Sequence, residues 1–284
     1  MKHSRTIKNG ATASAATTEG ISMGANSISC RIAIFRTDNG LYGEWKNKTS
    51  PFSIKGWRGR RDHSISDIEV EKMLEAFFSE ERNAFFTPFY ASDYKHTYVS
   101  GSVLSQNKDV YLKHYKVHEA PLKIRARNLL RRTLAKKAMC AYYRLKEMGI
   151  DAVEPLFYAR REGLFIPREA VFASLSTGTN QTLAAVLQRE HQKGELLPLV
   201  RALGAFMGDL HRKGVLYAEP VTNLLPVAQG DSWRFVLCDL DEMRSLGGMT
   251  QQQRVKYLAK LRTTLFNLEK AALTEFDTTY HAAF

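Results

Sequence analysis

The segment Arg234-Phe-Val-Leu-Cys-Asp-Leu-Asp-Glu-Met-Arg244 constrains this chain more than any other. Four apolar residues, Phe235 to Cys238, form a strand-like run that ends in two acids one residue apart, Asp239 and Asp241. A carboxylate at the end of a buried strand is costly unless a cation meets it. Upstream, Leu199, Leu203, Phe206, Met207 and Leu210 recur at helical spacing within Pro198–Lys213. That helix runs into Leu210-His-Arg-Lys-Gly-Val215, and Asn223-Leu-Leu-Pro226 opens a β-hairpin expected over Leu224–Cys238. Any fold of this chain has to gather a helix, a loop, an asparagine and an acid-tipped hairpin, and bring positive charge to the acids.

The front of the chain has the opposite character. Cys30–Phe35 reads as a strand, Asp38-Asn-Gly40 as a hairpin turn and Leu41–Trp45 as the return strand. Ser66-Asp-Ile-Glu69 is a capping-box pattern that opens an amphipathic helix reaching about Asn83. Thr97–Leu104 and Asp109–Lys116 read as two strands joined by Ser105–Lys108, followed by a long helix from about Lys123 to Met148 that Gly149 stops. Short strands near Leu156–Arg160 and Glu169–Leu175 precede helices near Thr182–Gln192 and at Pro198–Lys213, and a closing helix runs from Gln251 to about Phe276. Strands in front and helices behind imply an α+β chain with two lobes: a tail over 1–29, an antiparallel-sheet lobe with an N-terminal extension over 30–172, and a helical lobe over 173–284.

The 284 residues are enough for two lobes around a cleft. No stretch approaches the roughly 18–20 apolar residues that span a bilayer. Cys30, Cys140 and Cys238 are few and far apart, which fits reduced thiols of a cytoplasmic protein and no metal spacing. Residues 1–29 hold Lys2, Arg5 and Lys8 against one acid, Glu19, with many Ser, Thr, Ala and Gly and no apolar core, so they read as a disordered tail without a secretory signal. The net charge of +12 points to an anionic partner. Much of it lies in the long helix, where Lys123, Arg125, Arg127, Arg131, Arg132, Lys136 and Lys137 meet no acid. Arg125, Arg132 and Lys136 can share one face there and bind an anion.

Val110-Tyr-Leu-Lys113 ends a strand shortly before that helix. Together with Leu145-Lys-Glu-Met-Gly-Ile150, Leu210–Val215, Asn223 and Asp239-Leu-Asp241, it makes the stretch from about Tyr98 to Arg244 resemble the lipopolysaccharide core kinase family, the Kdo and heptose kinases of the protein-kinase-like superfamily. The resemblance implies a bilobal kinase-like fold and ATP-dependent transfer of a phosphoryl group to a core sugar. It implies that Lys113 holds the ATP phosphates, and that Asn223 and Asp239 bind Mg2+, with Asp241 as a second acid. It also implies a cytoplasmic protein, peripheral at the inner face of the inner membrane, with an anionic glycolipid or that membrane surface facing the basic helix.

Two positions depart from the family's pattern. Its catalytic loop reads His-x-Asp-x-x-x-x-Asn, and counting back from Asn223 puts Ala218 where the proton-accepting Asp belongs. Glu219 is the neighbouring acid and serves as an irregular base if the loop is one residue shorter. In the long helix, Ala138 stands where a glutamate pairs with the strand lysine, and Glu147 lies about 13 Å further along. These departures leave open a catalytically inactive pseudokinase that works through a protein partner. A basic nucleic-acid-binding protein is the remote third reading, with no known module to support it. His211 is expected to brace the catalytic loop, and Trp57, Arg58, Arg60 and Arg61 to form a loop packed on the front lobe.

Overall fold

The computed structural model describes residues 42–101, 109–122, 125, 133–163, 167–179, 181–217, 219–241, 243–245 and 250–284. The tail, the expected strand Cys30–Phe35, the turn at Asp38-Asn-Gly40, the turn Ser105–Lys108 and most of the basic segment 123–132 lie outside them.

The front half is one seven-stranded antiparallel sheet. A short helix α1 (Tyr42–Asn47) leads into the hairpin β1 (Thr49–Ile54) and β2 (Trp57–Asp62), then helix α2 (Asp67–Phe78) and a helical turn α3 (Arg82–Phe85). Strands β3 (Thr87–Ala91), β4 (Lys95–Ser100) and β5 (Val110–Tyr115) follow, then helix α4 (Leu134–Glu147), β6 (Pro155–Arg161) and β7 (Glu169–Leu175). Their order across the sheet is β1-β2-β6-β7-β5-β4-β3. Pro51 and Pro88 sit on β1 and β3, the two edge strands, where a missing N–H leaves no gap in the ladder.

Strand alternation divides the sheet into two faces. Val110, Leu112, Phe157, Ala159, Val171 and Ala173 join one apolar cluster with Val70, Met73, Leu74 and Phe77 of α2. Ser66 fixes the start of α2 through the expected capping box with Glu69. Tyr115, Tyr158, Ala170 and Phe172 point to the other face and join a larger cluster with Ala138, Met139 and Leu145 of α4. Lys113 alternates with Leu112 and therefore faces the second side, toward α4 and the helical half.

Beyond Leu175 the chain is mainly helical. It comprises α5 (Leu183–Lys193), α6 (Leu196–Arg212), the strand pair β8 (Val215–Leu216) with β11 (Arg244–Ser245), the helical turn α7 (Pro220–Asn223), and the hairpin β9 (Leu224–Gln229) with β10 (Ser232–Leu237). Helices α8 (Gln251–Leu268) and α9 (Lys270–Ala283) close it. On α6, Gly204 and Gly208 are one turn apart; an added Cβ would meet Phe276 O at 2.7 Å and Tyr280 O at 2.6 Å. Only glycine lets α9 lie this close. The hairpin is stitched to the sheet half by Leu237, whose N–H donates to Asp151 O at 3.0 Å while its carbonyl accepts from Val153 N–H at 2.9 Å.

Four sequence expectations change. The helix expected from about Lys123 to Met148 does not run unbroken: Thr133, with extended ψ 154°, caps a new start at Leu134. Leu41–Trp45 is not a return strand: residues 42–47 are helical, and Trp45 is buried with its ring 6.4 Å from that of Tyr158. Tertiary packing outweighs strand propensity there. The basic-aromatic cluster at Trp57–Arg61 is strand β2, and a turn at Lys55-Gly56, both with positive φ, closes its hairpin. The closing helix breaks at Glu269, whose extended backbone (φ −163°, ψ 129°) folds α9 back onto α6.

Candidate functional site

Two adjacent strands bring lysines to one face of the sheet. Thr97 of β4 pairs with Lys113 of β5, so Lys95, two residues along from Thr97, points the same way as Lys113. The acids come from the far half of the chain. Leu224 pairs with Leu237 at the end of the β9–β10 hairpin, which sets Asn223 beside Cys238 and places Asp239 just beyond. Cys238 N–H donates to Asn223 O at 3.0 Å and to the Tyr217 hydroxyl oxygen at 3.1 Å. The Tyr217 hydroxyl in turn lies against the carbonyls of Asn223 and Cys238. This fully buried tyrosine ties the two loops together. Asp239 follows in the left-handed region at φ 58°, a conformation costly for a residue other than glycine and one that aims its side chain at the sheet.

There the charges meet. Lys113 Nζ bonds Asp239 Oδ1, and Lys95 Nζ bonds the same oxygen at 2.6 Å. Lys95 also lies 3.3 Å from Asp241 Oδ2, and Lys113 3.5 Å from Asp241 Oδ1. Lys137 of α4 bonds the Asp241 backbone carbonyl. Two acids thus face two lysines, Asp241 and Lys95 buried and Asp239 and Lys113 largely so, an arrangement that pairs charges too costly to bury singly.

Burial opposes ionisation of Asp239, but Lys113 and Lys95 outweigh it and hold its carboxyl well below the usual carboxylate range. Asp241 is 2 % exposed; burial and the neighbouring Asp239 charge push its carboxyl upward against the pull of the lysines. Burial also opposes the charge on Lys113, yet Asp241 and Asp239 raise it overall, so Lys113 stays an ammonium. Burial pushes the Cys238 thiol up to about 11, which removes it as a thiolate nucleophile at neutral pH.

Lys113, Asp239 and Asp241, expected from the sequence to act together, are therefore in one cluster. Asn223 adjoins it through its backbone. Glu219 precedes α7 as its N-cap at φ 58°, with its carboxylate exposed and 2.8 Å from Lys260 Nζ of α8. Ala138 is buried in α4, and Glu147 at the far end of that helix pairs with Lys48 at 3.9 Å. Of the anion-binding residues expected on the basic helix, Arg132 lies outside the described residues. Arg125 N–H donates to Pro121 O, and the Lys136 N–H donates to the Thr133 side chain that caps α4.

Among the described residues, the His211 side chain makes no hydrogen bond to the segment before Asn223. Its Nδ1 is 2.8 Å from the Tyr280 hydroxyl of α9, and burial lowers its pKa to about 4. The brace is Tyr217, which the sequence reading passed over. Lys95 was also passed over, although its even spacing from Thr97 on a strand beside Lys113 was the available signal.

Among the described residues, no three His, Cys, Asp or Glu side chains gather as a metal-binding set. Asp239 and Asp241 nevertheless suit magnesium, which is held by one or two carboxylates and completed by substrate phosphates and water. Asp241 Oδ1 is buried and accepts no hydrogen bond, so it has capacity for such a ligand.

No protein-family model matches the chain, and no curated protein matches it in sequence. In structure the chain is similar to WaaP, solved in complex with acyl carrier protein. The TM-score is 0.52 at 17 % identity, over 70 % of this chain and 80 % of that one. The likeness shows a bilobal kinase-like fold with an antiparallel-sheet lobe and a mainly helical lobe.

Proposed function

We propose that this protein binds a magnesium nucleoside triphosphate, ATP, through Lys113, Asp239 and Asn223, and transfers its terminal phosphoryl group to a hydroxyl of the lipopolysaccharide core. The observation that carries this reading is the Lys113–Asp239 pair, which joins sheet and hairpin across 126 residues of sequence. In phosphoryl transfer the protein's task is positioning and charge stabilisation more than covalent chemistry. The metal would neutralise charge developing between the β and γ phosphoryl groups. Lys113, released from Asp239 by that exchange, would contact phosphate oxygens. Asp241, buried behind, keeps the site's charge balanced, and Tyr217 holds the loops that carry Asn223 and Asp239 in register.

In this reading Glu219, the acid next to the position where the catalytic loop's Asp is expected, accepts the proton of the attacking hydroxyl. Its pair with Lys260 is exposed at both ends and therefore cheap to open. An anionic glycolipid fits the net charge of +12. The setting would be the cytoplasmic face of the inner membrane, with peripheral attachment. No helix among the described residues is long and apolar enough to cross a membrane.

A second reading is a pseudokinase that binds nucleotide and acts through a protein partner. It is favoured by α4, which offers Lys137 to the site and no acid in its place. The WaaP structure holds an acyl carrier protein, and a protein partner for this chain would belong to this reading. The deciding experiment is incubation with ATP, magnesium and isolated core oligosaccharide, with the product followed by mass spectrometry. A phosphorylated core that disappears in Glu219→Gln supports the kinase. Nucleotide binding with no transfer to any core acceptor supports the pseudokinase.

A further inference from the structure

Lys95 pairs with the same acids as Lys113 but has no part in the nucleotide contacts proposed above. It opens β4 directly after the β3–β4 turn, where its carbonyl accepts from Ser92 Oγ at 3.0 Å and its N–H donates to the same oxygen at 3.3 Å. Its side chain is 11 % exposed and converges with Lys113 on one oxygen of Asp239. One lysine is enough to pair that carboxylate. Two ammoniums on a single oxygen form a store of positive charge that becomes available together once another cation takes Asp239. Both are carried by neighbouring strands of one sheet, so their spacing is set by the ladder and not by a loop.

We infer that Lys95 is a second phosphate-binding cation, forming with Lys113 a two-lysine clamp for the polyphosphate of a nucleoside triphosphate. The inference rests on the nucleotide reading of the same cluster. A buried ammonium that loses its carboxylate has to meet another anion nearby. A chain of phosphates offers several charged oxygens to both lysines at once, whereas a nucleoside offers none. The clamp therefore selects for phosphate charge and leaves the base to other contacts.

The test uses the wild-type chain and an acyl phosphate derivative of ATP with magnesium. A lysine amine beside the phosphates attacks the acyl carbon; an amide forms, ATP leaves with the bonding electron pair on its terminal oxygen, and the amine proton passes to solvent. Peptide mass spectrometry is expected to find the acyl group on both Lys95 and Lys113, suppressed by excess unmodified ATP. Acylation of Lys113 alone overturns the clamp and leaves the nucleotide reading standing. Acylation of neither lysine overturns both. In parallel, Lys95→Gln, checked for folding by its melt, is expected to weaken ATP binding about tenfold, the scale of one charge-assisted contact, with adenosine binding unchanged. Unchanged ATP affinity in the folded variant also overturns the clamp.

Discussion

The two sides of the candidate cleft are held in different ways. On one side Lys95, Lys113, Asp239 and Asp241 are buried or largely so, mutually paired and fastened by Tyr217 to the neighbouring loop. On the other, Glu219 is exposed and touches a single surface lysine, Lys260. The proposed nucleotide side is thus part of what stabilises the fold, while Glu219, the proposed transfer side, is tied to it by one surface pair. A substitution on the first side changes stability and binding together; one on the second changes chemistry alone.

The largest expected effect comes from breaking the buried side. Asp239→Asn leaves Lys95 and Lys113 with only Asp241, and removing one partner of a buried ionic group costs about 3–5 kcal/mol. Urea denaturation is expected to show a loss of that size; a loss below that of a surface substitution would show that the lysines relax into solvent. Tyr217→Phe removes the hydroxyl shared by Cys238 N–H and two carbonyls and should cost about 1–3 kcal/mol, read by the same assay. On the exposed side, Lys260→Ala should change stability by about 0–1 kcal/mol. Glu219→Gln should be equally mild in the melt, yet lower any transfer rate by about 10²–10⁴-fold. A Glu219→Gln variant with full transfer would end the role of that residue.

Acid separates two partnered groups, His211 and Asp239, because they titrate at different pH. His211 is held neutral, with its pKa lowered from 6.5 to about 4. The unfolded chain takes up that proton first, so stability is lost as pH falls from about 6.5 toward 4. Asp239 is depressed below its ordinary value of 3.8. Its contribution is present above that value and is lost as pH falls below it. Melting temperature is expected to decline in two stages, and His211→Gln should remove the upper one. A single transition below pH 4 in the wild type would contradict the buried His211.

Much of this was readable in the sequence, for identifiable reasons. The hairpin Leu224–Cys238 and the helix with Leu199 and Leu210 announce themselves by apolar spacing and turn residues, and the capping box at Ser66–Glu69 marks its helix start. Order along the chain was enough to pair Lys113 with Asp239. The edge strands β1 and β3 were hidden because Pro51 and Pro88 interrupt them and their register is set by neighbours far away in sequence. Lys95 and Tyr217 were hidden because their roles depend on which strands and loops become adjacent. The break at Glu269 exists because α9 docks on Gly204 and Gly208, and nothing local to Glu269 announces it.

The central claim is that the Lys113–Asp239 cluster is a nucleotide site, and the most direct measurement is calorimetric titration of the wild-type chain with ATP, in magnesium and then in EDTA. The account predicts binding that magnesium strengthens and that folded Asp239→Asn loses. Absence of ATP binding by the wild-type chain in both conditions would contradict it.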